Sequence, residues 1–541
     1  MAFDLVLAAL QSSLPAAAFA LAADGLAQRQ CRSFACAFKN LREQHGFECN
    51  AGHSADCAGY GVQLQLCLLL RLLLCLMFLL PVGLLALLCG LNLAAAAVCC
   101  ILAAGVFYAV NLLKFKVLHE PLVFTDLLLI KEIVSCPRFY FGYITLKQRI
   151  VLLLLFCALA ATGLSFEPSR NLYSCGSFVS AYFYFAALTL CLLLLYLAGS
   201  LKALGRAGAG LSAVLMRFYE ADSCLGAARF GVLLHFVLGL ALYLLKAQWP
   251  ECLAAHERRC RAVKGCAQET AGSIVLIQAE SLIPGVKDLA EAACGAQFSS
   301  ELKLSYFGAY TMRTEFAVLT GIEPQQLGAC SSDPYLLAAS QKISSLASRL
   351  KLQGYYSICL HANSGRFFNR RQVMAGFGFD ECVFAEELKT GNRSASDLEI
   401  LKQAARRLRR AHEQGSKLFI FIITLGGHGP YQDQSRPEAD AIEVYARKQQ
   451  SLISGLKLLK STLGGSDSLL VYGDHLPPIE SLLKDSAGFK TADAVPGPAV
   501  LGFNFRPGAV LQQVVQNSER KVRISCSELN ALLLSQGGLY A

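Results

Sequence analysis

The chain has 541 residues, of which 54% are apolar and 16% charged. A soluble domain carries roughly 25% charged residues, so an ordinary aqueous enzyme is excluded, and this length has room for more than one domain. The net charge of +10 is not read as a nucleic-acid signature, because no lysine or arginine run is long enough and the apolar composition points to a bilayer.

In chain order, residues 4–23 are apolar but contain Asp4 and Pro15 and lack the basic start of a cleaved signal peptide. They are read as an extra apolar helix, interfacial or spanning, within an N-terminal cytoplasmic segment 1–62. Cys31, Cys36, Cys49, His53 and Cys57 fall in that segment with irregular spacing, which favours reduced thiols over a zinc site. No charge occurs from Leu72 to Leu113, too long a run for one helix across a core of about 30 Å. Gly90 and Asn92 offer the break, so the pattern predicts helices over 63–89 and 92–113. Charge-free runs at 150–166, 171–201 and Phe230–Leu245 add three more, giving a five-helix transmembrane domain over 63–248. Arg71, near one end of the first span, can snorkel to the interface, and His235 inside the fifth reads as a packed, hydrogen-bonded histidine.

Orientation follows from the loops. Lys114, Lys116, Lys131, Arg138, Lys147 and Arg149 crowd the 114–149 loop, whereas the next short loop has only Arg170. The positive-inside rule places 114–149 in the cytoplasm and everything after about 249 outside, with Trp249 at the exit. The expected product is a multi-pass cell-membrane protein with an extracytoplasmic domain. Beyond Trp249 lie Cys252, Cys260, Cys266, Cys294, Cys330, Cys359, Cys382 and Cys526, an even set that permits disulfides without revealing their pairing.

After a linker at 249–270, the segment 271–541 changes character. Ser273–Gln278, Tyr355–Leu360, Leu418–Thr424, Leu469–Tyr472 and Ala499–Phe503 read as buried strands. Ser340–Leu352, Ser396–Glu413 and Ala439–Leu463 show helical periodicity between them. Such alternation predicts an α/β domain with a mostly parallel sheet, whose chemistry gathers beyond the carboxyl ends of the strands. At those ends stand Glu280 in IQAES, His361 in CLHAN, His428 in TLGGHGPY, and Asp474 with His475 in VYGDHLPP. Two carboxylates and an imidazole suit Mn²⁺, Mg²⁺ or Zn²⁺. A divalent ion would lower the pKa of a hydroxyl and offset charge on a phosphoryl oxygen. The hydroxyl is sought in GAYTMRTEFAVLTG at 308–321, where Thr311 and Thr314 precede an apolar helical stretch. Spacing alone leaves open whether either is a nucleophile or a helix cap.

The segments AES, YTMRTEFAVLTG, FFNRRQV, GGHGPY and YGDHLPP, in that order, resemble the lipoteichoic acid synthase-type phosphoglycerol transferases of the sulfatase and alkaline phosphatase superfamily. The resemblance covers about 270–505, includes the layout of five spans before an external domain, and extends to HEPLVFTDLLLIKE at 119–132, similar to that family's intracellular loop. It implies Thr311 as metal-bound nucleophile, with Thr314 at the family's Ser/Thr position, and Glu280, Asp474 and His475 as metal ligands, Mn²⁺ foremost. It implies His361, Arg370 and His428 as phosphoglycerol-binding residues, with Phe368 where the family has tryptophan. His428 would also serve as general acid.

The implied reaction moves phosphoglycerol from phosphatidylglycerol through a phospho-threonine to an envelope glycan or polyglycerol phosphate acceptor. The alternatives are a phosphoethanolamine transferase acting on lipid A or a glycan, and a sulfatase-fold phosphoester hydrolase. A true sulfatase would need a formylglycine precursor in a Cys/Ser-x-Pro-x-Arg context, which the stretch from Thr311 to Glu315 lacks. An inactive scaffold would be expected to have lost a ligand, and none is missing.

Overall fold

The computed structural model describes residues 2–37, 79, 82, 93–128, 219, 223–245, 249–262, 264–265, 272–286, 289–303, 310–388, 395–432, 440–483, 497–520 and 522–540. The chain forms two compact units, the first ending at Ala247 and the second containing Gln248–Ala541.

In the first unit the N-terminal apolar stretch is a helix over Ala2–Ala37, longer than the 4–23 expected. The expected span at 92–113 is the helix Leu93–Leu118. Its window Ala97–Lys116 is long and apolar enough to cross a membrane, and it alone passes that test among the described residues. The expected spans at 150–166 and 171–201, and 63–89 apart from Leu79 and Val82, lie outside the described residues, as do Cys49, His53 and Cys57.

The stretch Phe230–Leu245 is not one helix. Ser223–Phe230 and Val232–Leu244 are separated at Gly231, whose φ of 89° is open to glycine. A break in apolar surroundings leaves backbone groups that need partners. Asp24 supplies two, accepting from the N–H groups of Val232 at 2.8 Å and Leu233 at 3.1 Å. Gln28 and Arg32, one and two turns further along the N-terminal helix, donate to the Ala228 carbonyl.

In the second unit the segment read as a linker holds a helix, Trp249–Ala262. His256 meets the Ser344 carbonyl at 2.8 Å, and Glu257 accepts from Ser344 N–H and Oγ. Strand β1 (Lys264–Gly265) pairs with β9 (Leu539–Tyr540). The main sheet contains β2 (Ile274–Ala279), β3 (Phe298–Glu301), β4 (Tyr355–His361), β5 (Glu381–Val383), β6 (Lys417–Ile423), β7 (Ser468–Gly473) and β8 (Ala499–Phe503). Their order is β3-β8-β7-β2-β6-β4-β5, parallel from β7 to β5, with β8 antiparallel to β7 and β3 antiparallel to β8 at one edge. The α/β, mostly parallel expectation therefore holds.

Central strands are apolar throughout because helices cover both faces. On one face, Val275, Ile277, Ile420, Ile422 and Val471 share a core with Leu401, Leu408, Leu452 and Leu456 of the helices Asp397–Gln414 and Ala441–Lys460. The first of these helices starts in a capping box, Ser396 with Glu399, and stops at Gly415 in the left-handed region. The expected helix over Ser340–Leu352 is only Leu346–Lys351. All seven described cysteines after Trp249 are free thiols, and Cys266 lies outside the described residues.

Candidate active site

The register of the sheet assembles the site. Ala279 pairs with Gly473, Gln278 with Ile423, and Ile423 with His361, so four neighbouring strands end at one level. The next residues on β2 and β7 are Glu280 and Asp474–His475. Two glycines let these ends close up: a Cβ on Gly427 would lie 2.0 Å from the Glu280 carbonyl oxygen, and one on Gly473 would lie 2.1 Å from that of Leu282.

Glu280, Asp474 and His475 are 4%, 0% and 4% exposed. One ligand atom from each lies within 4.8 Å of the others. His475 Nε2 is 3.3 Å from Glu280 Oε1 and 3.5 Å from Asp474 Oδ2. The Nδ1 edge of the same ring faces the Leu476 carbonyl at 3.0 Å, so Nδ1 carries the donated proton and Nε2 turns toward the carboxylates. Burial pushes the Asp474 carboxyl up, against the pull of His475, and Glu280 adds to the rise. Burial would raise Glu280 as well, but the His475 charge overrides it and holds that carboxyl low. His475 is raised despite its burial, because it faces both carboxylates. Asp474 Oδ2 is buried with no hydrogen-bond partner. Two crowded carboxylates, an oriented imidazole and an orphaned oxygen fit a divalent cation, which would relieve both the desolvation and the repulsion.

The two candidate hydroxyls have different surroundings. Both belong to the helix Thr311–Thr320, whose N-cap is Tyr310 and makes no side-chain cap bond, so neither threonine is the cap. Thr314, 1% exposed, donates its hydroxyl to the Asp474 carbonyl oxygen at 2.6 Å and ties the helix to the end of β7. Thr311 is half-buried, and its hydroxyl is close enough to the Asp474 carboxylate to lower that group's pKa.

His361 and Arg370 are brought together, but they meet each other first. Arg370, 2% exposed, donates Nη1–H to His361 Nε2 at 2.8 Å, and Nε–H and Nη2–H to the Glu315 carboxylate at 3.2 and 3.1 Å. Glu315 also accepts from Tyr335 Oη and from Gln278 Nε2, whose Oε1 in turn accepts from Tyr472. The other His361 nitrogen faces the Ile423 carbonyl at 3.0 Å. Burial, then the Arg370 charge, push His361 down to about 3, so it is neutral at any physiological pH. Three of the five Arg370 N–H groups are thus committed. Phe368 is half-buried, with its ring 5.8 Å from the Arg370 guanidinium carbon. Phe368 and Asn369 both have left-handed backbones, φ 54° and 51°, which is strain in non-glycine residues.

His428 lies in the loop after β6, near enough to Glu280 to help hold that carboxyl down. Residues that motif reading missed fix this loop. Asp397 accepts from Leu425 N–H at 2.9 Å and from Gly426 N–H at 3.0 Å, and Lys448 Nζ donates to the carbonyls of His428 and Pro430. Ser281 and Glu315 were missed too. The one available hint for Glu315 was a carboxylate directly ahead of the apolar run Phe316–Leu319.

The sulfatase family model matches residues 302–506. A candidate cyclic beta-1,2-glucan modification protein of Rhizobium meliloti is 31% identical over 203 residues, 34% of this chain and 31% of that protein. The capsular polysaccharide biosynthesis protein RkpI of the same organism is 26% identical over 406 residues, 70% of this chain and 72% of its own. The lipoteichoic acid synthase-like YvgJ of Bacillus subtilis is 26% identical over 203 residues, 34% of this chain and 32% of its own. The match thus spans about a third of the first and third relatives. Among solved structures, the lipoteichoic acid synthase LtaP of Listeria monocytogenes has 17% identity and a TM-score of 0.36, over 46% of this chain and 71% of its own. Residues 302–506 thus match the sulfatase family, and the resemblance to lipoteichoic acid synthase-type phosphotransferases holds.

Proposed function

We propose that the chain is a membrane-anchored, metal-dependent transferase that moves phosphoglycerol from phosphatidylglycerol to an envelope glycan or polyglycerol phosphate. Five membrane helices would hold the catalytic unit outside the cell membrane, within reach of a lipid donor. The observation that carries the reading is the pair of threonines: Thr314 is tied to backbone, while Thr311 faces the Asp474 carboxylate beside Glu280 and His475. A divalent cation, Mn²⁺ foremost, held by Glu280, Asp474 and His475 would lower the pKa of the Thr311 hydroxyl and offset charge on the phosphoryl oxygens.

Thr311 Oγ, already ionised, attacks the phosphorus, the phosphorus–oxygen bond to diacylglycerol breaks, and His428 gives the leaving oxygen its proton. An acceptor hydroxyl then gives its proton back to His428 and attacks the phospho-threonine, the bond from phosphorus to Oγ breaks, and Oγ leaves in its ionised form. Neutral His361 keeps Arg370 in place, and the uncommitted guanidinium N–H groups receive the phosphate. The two Rhizobium meliloti relatives are named for a glucan and a capsular polysaccharide, which favours a glycan acceptor.

The test is diacylglycerol release by the full-length protein with Mn²⁺, from phosphatidylglycerol and phosphatidylethanolamine separately. The expected outcome is release from phosphatidylglycerol only, reduced on the order of 10³-fold or more in Thr311→Ala. Release from phosphatidylethanolamine would move the headgroup to phosphoethanolamine. Undiminished release by Thr311→Ala would remove the nucleophile assignment.

A further inference from the structure

We infer that Ser281 is the positioning residue of the cation ligand set, an inference that rests on the cation reading above. Ser281 is fully buried and occupies the left-handed region, with φ 55°. From that conformation it touches all three ligands. Its N–H donates to Asp474 Oδ1 at 2.8 Å and its hydroxyl donates to Glu280 Oε1 at 3.1 Å. The same hydroxyl oxygen lies 3.3 Å from His475 Nδ1.

A serine in this region is strained, and strain persists only where the surroundings over-determine it. Here they do so from two other elements, the helix Ala441–Lys460 and the end of β6. The Ser281 carbonyl accepts from Tyr445 Oη at 2.7 Å, the Glu280 carbonyl accepts from Gln449 Nε2 at 3.0 Å, and Glu280 N–H donates to Thr424 Oγ1 at 2.9 Å. Glycine would make the same turn without strain. What serine adds is the hydroxyl. Its proton goes to Glu280 Oε1, and its lone pair joins the Leu476 carbonyl in facing His475 Nδ1–H, which keeps Nε2 directed at the carboxylates. The Ser281 backbone N–H, together with that of His475, occupies Asp474 Oδ1 and leaves Oδ2, which has no hydrogen bond, for the cation. One side chain and its own peptide group thus set which atom each ligand presents, the usual task of groups lying behind a metal's own ligands.

The experiment is Mn²⁺ titration of the metal-free, full-length protein by calorimetry, with a metal-free melting curve for each variant. Ser281→Ala keeps the Cβ and its strain and loses only the hydroxyl, so Mn²⁺ affinity falls about 10- to 100-fold. Ser281→Gly relieves the strain, so its metal-free melting temperature lies at or above that of Ser281→Ala, yet its affinity stays low. Tyr445→Phe, which frees the Ser281 carbonyl, gives a smaller loss and decides the matter should the Ser281 variants fail to fold. Wild-type affinity in both Ser281 variants overturns the inference. Wild-type affinity in Ser281→Gly alone also overturns it, because the backbone would then suffice. Absence of Mn²⁺ binding by the wild type contradicts the cation reading itself, a separate failure.

Discussion

Two buried polar clusters stand at the same edge of the sheet, and they are built on opposite principles. Beyond β4 and β6, His361, Arg370 and Glu315 form a closed network in which charge meets opposite charge and hydrogen bonds reach Ile423, Tyr335 and Gln278. Beyond β2 and β7, Glu280 and Asp474 crowd one imidazole and leave Asp474 Oδ2 without a hydrogen bond. Burial and residue types are alike, so neither marks a binding site. What separates the clusters is whether the acceptors outnumber the donors that reach them. The first cluster supplies its own counter-charges, whereas the open one would be stabilised by a bound cation.

The sharpest break of this comparison is Glu315→Ala. It leaves the Arg370 charge buried and unpaired, so it costs about 3–5 kcal/mol in a denaturation measurement. A cost under 1 kcal/mol would mean that the network is not closed as described.

Asp397 sharpens it through pH. Burial lifts its carboxyl to about 6 even though two backbone N–H groups donate to it. The folded-state pKa lies above the unfolded value of about 4, so the folded protein binds more protons between about pH 4 and 6. Stability therefore falls as pH rises through that window, by about 2–3 kcal/mol from this group. The melting temperature of Asp397→Asn relative to wild type should rise across the same interval, and a constant offset would contradict the assignment.

Asp474→Asn has the opposite sign to Glu315→Ala. It keeps the Oδ1 bonds and removes a charge that burial and Glu280 disfavour more than His475 supports, so the metal-free protein gains about 1 kcal/mol while losing its response to Mn²⁺. The smallest effect belongs to Arg371, the neighbour of Arg370. Its pairs with Glu386 and Glu387 are exposed, and Arg371→Ala costs less than about 1 kcal/mol.

Legibility in the sequence followed the same division. The five strands read from apolar runs are present with ends shifted by at most one residue, because central parallel strands are apolar on both faces. The edge strands Phe298–Glu301 and Glu381–Val383 were not legible, since FSSE and ECV are short and half polar. Glu280, Asp474 and His475 were legible because strand ends in a parallel sheet converge. Ser281, Glu315, Asp397 and Lys448 were not, because each acts through partners tens to hundreds of residues away that only the folded register supplies. The break at Gly231 was hidden for a related reason: the run stays apolar through it, and the groups that satisfy it come from Asp24, Gln28 and Arg32.

The central claim is that the open cluster serves Thr311. The most direct measurement is peptide mass spectrometry of the full-length protein after incubation with phosphatidylglycerol and Mn²⁺ in the absence of an acceptor. The account predicts a glycerophosphoryl adduct on Thr311 that is lost in Asp474→Asn. An adduct on Thr314, or diacylglycerol release with Thr311 unmodified throughout, would contradict it.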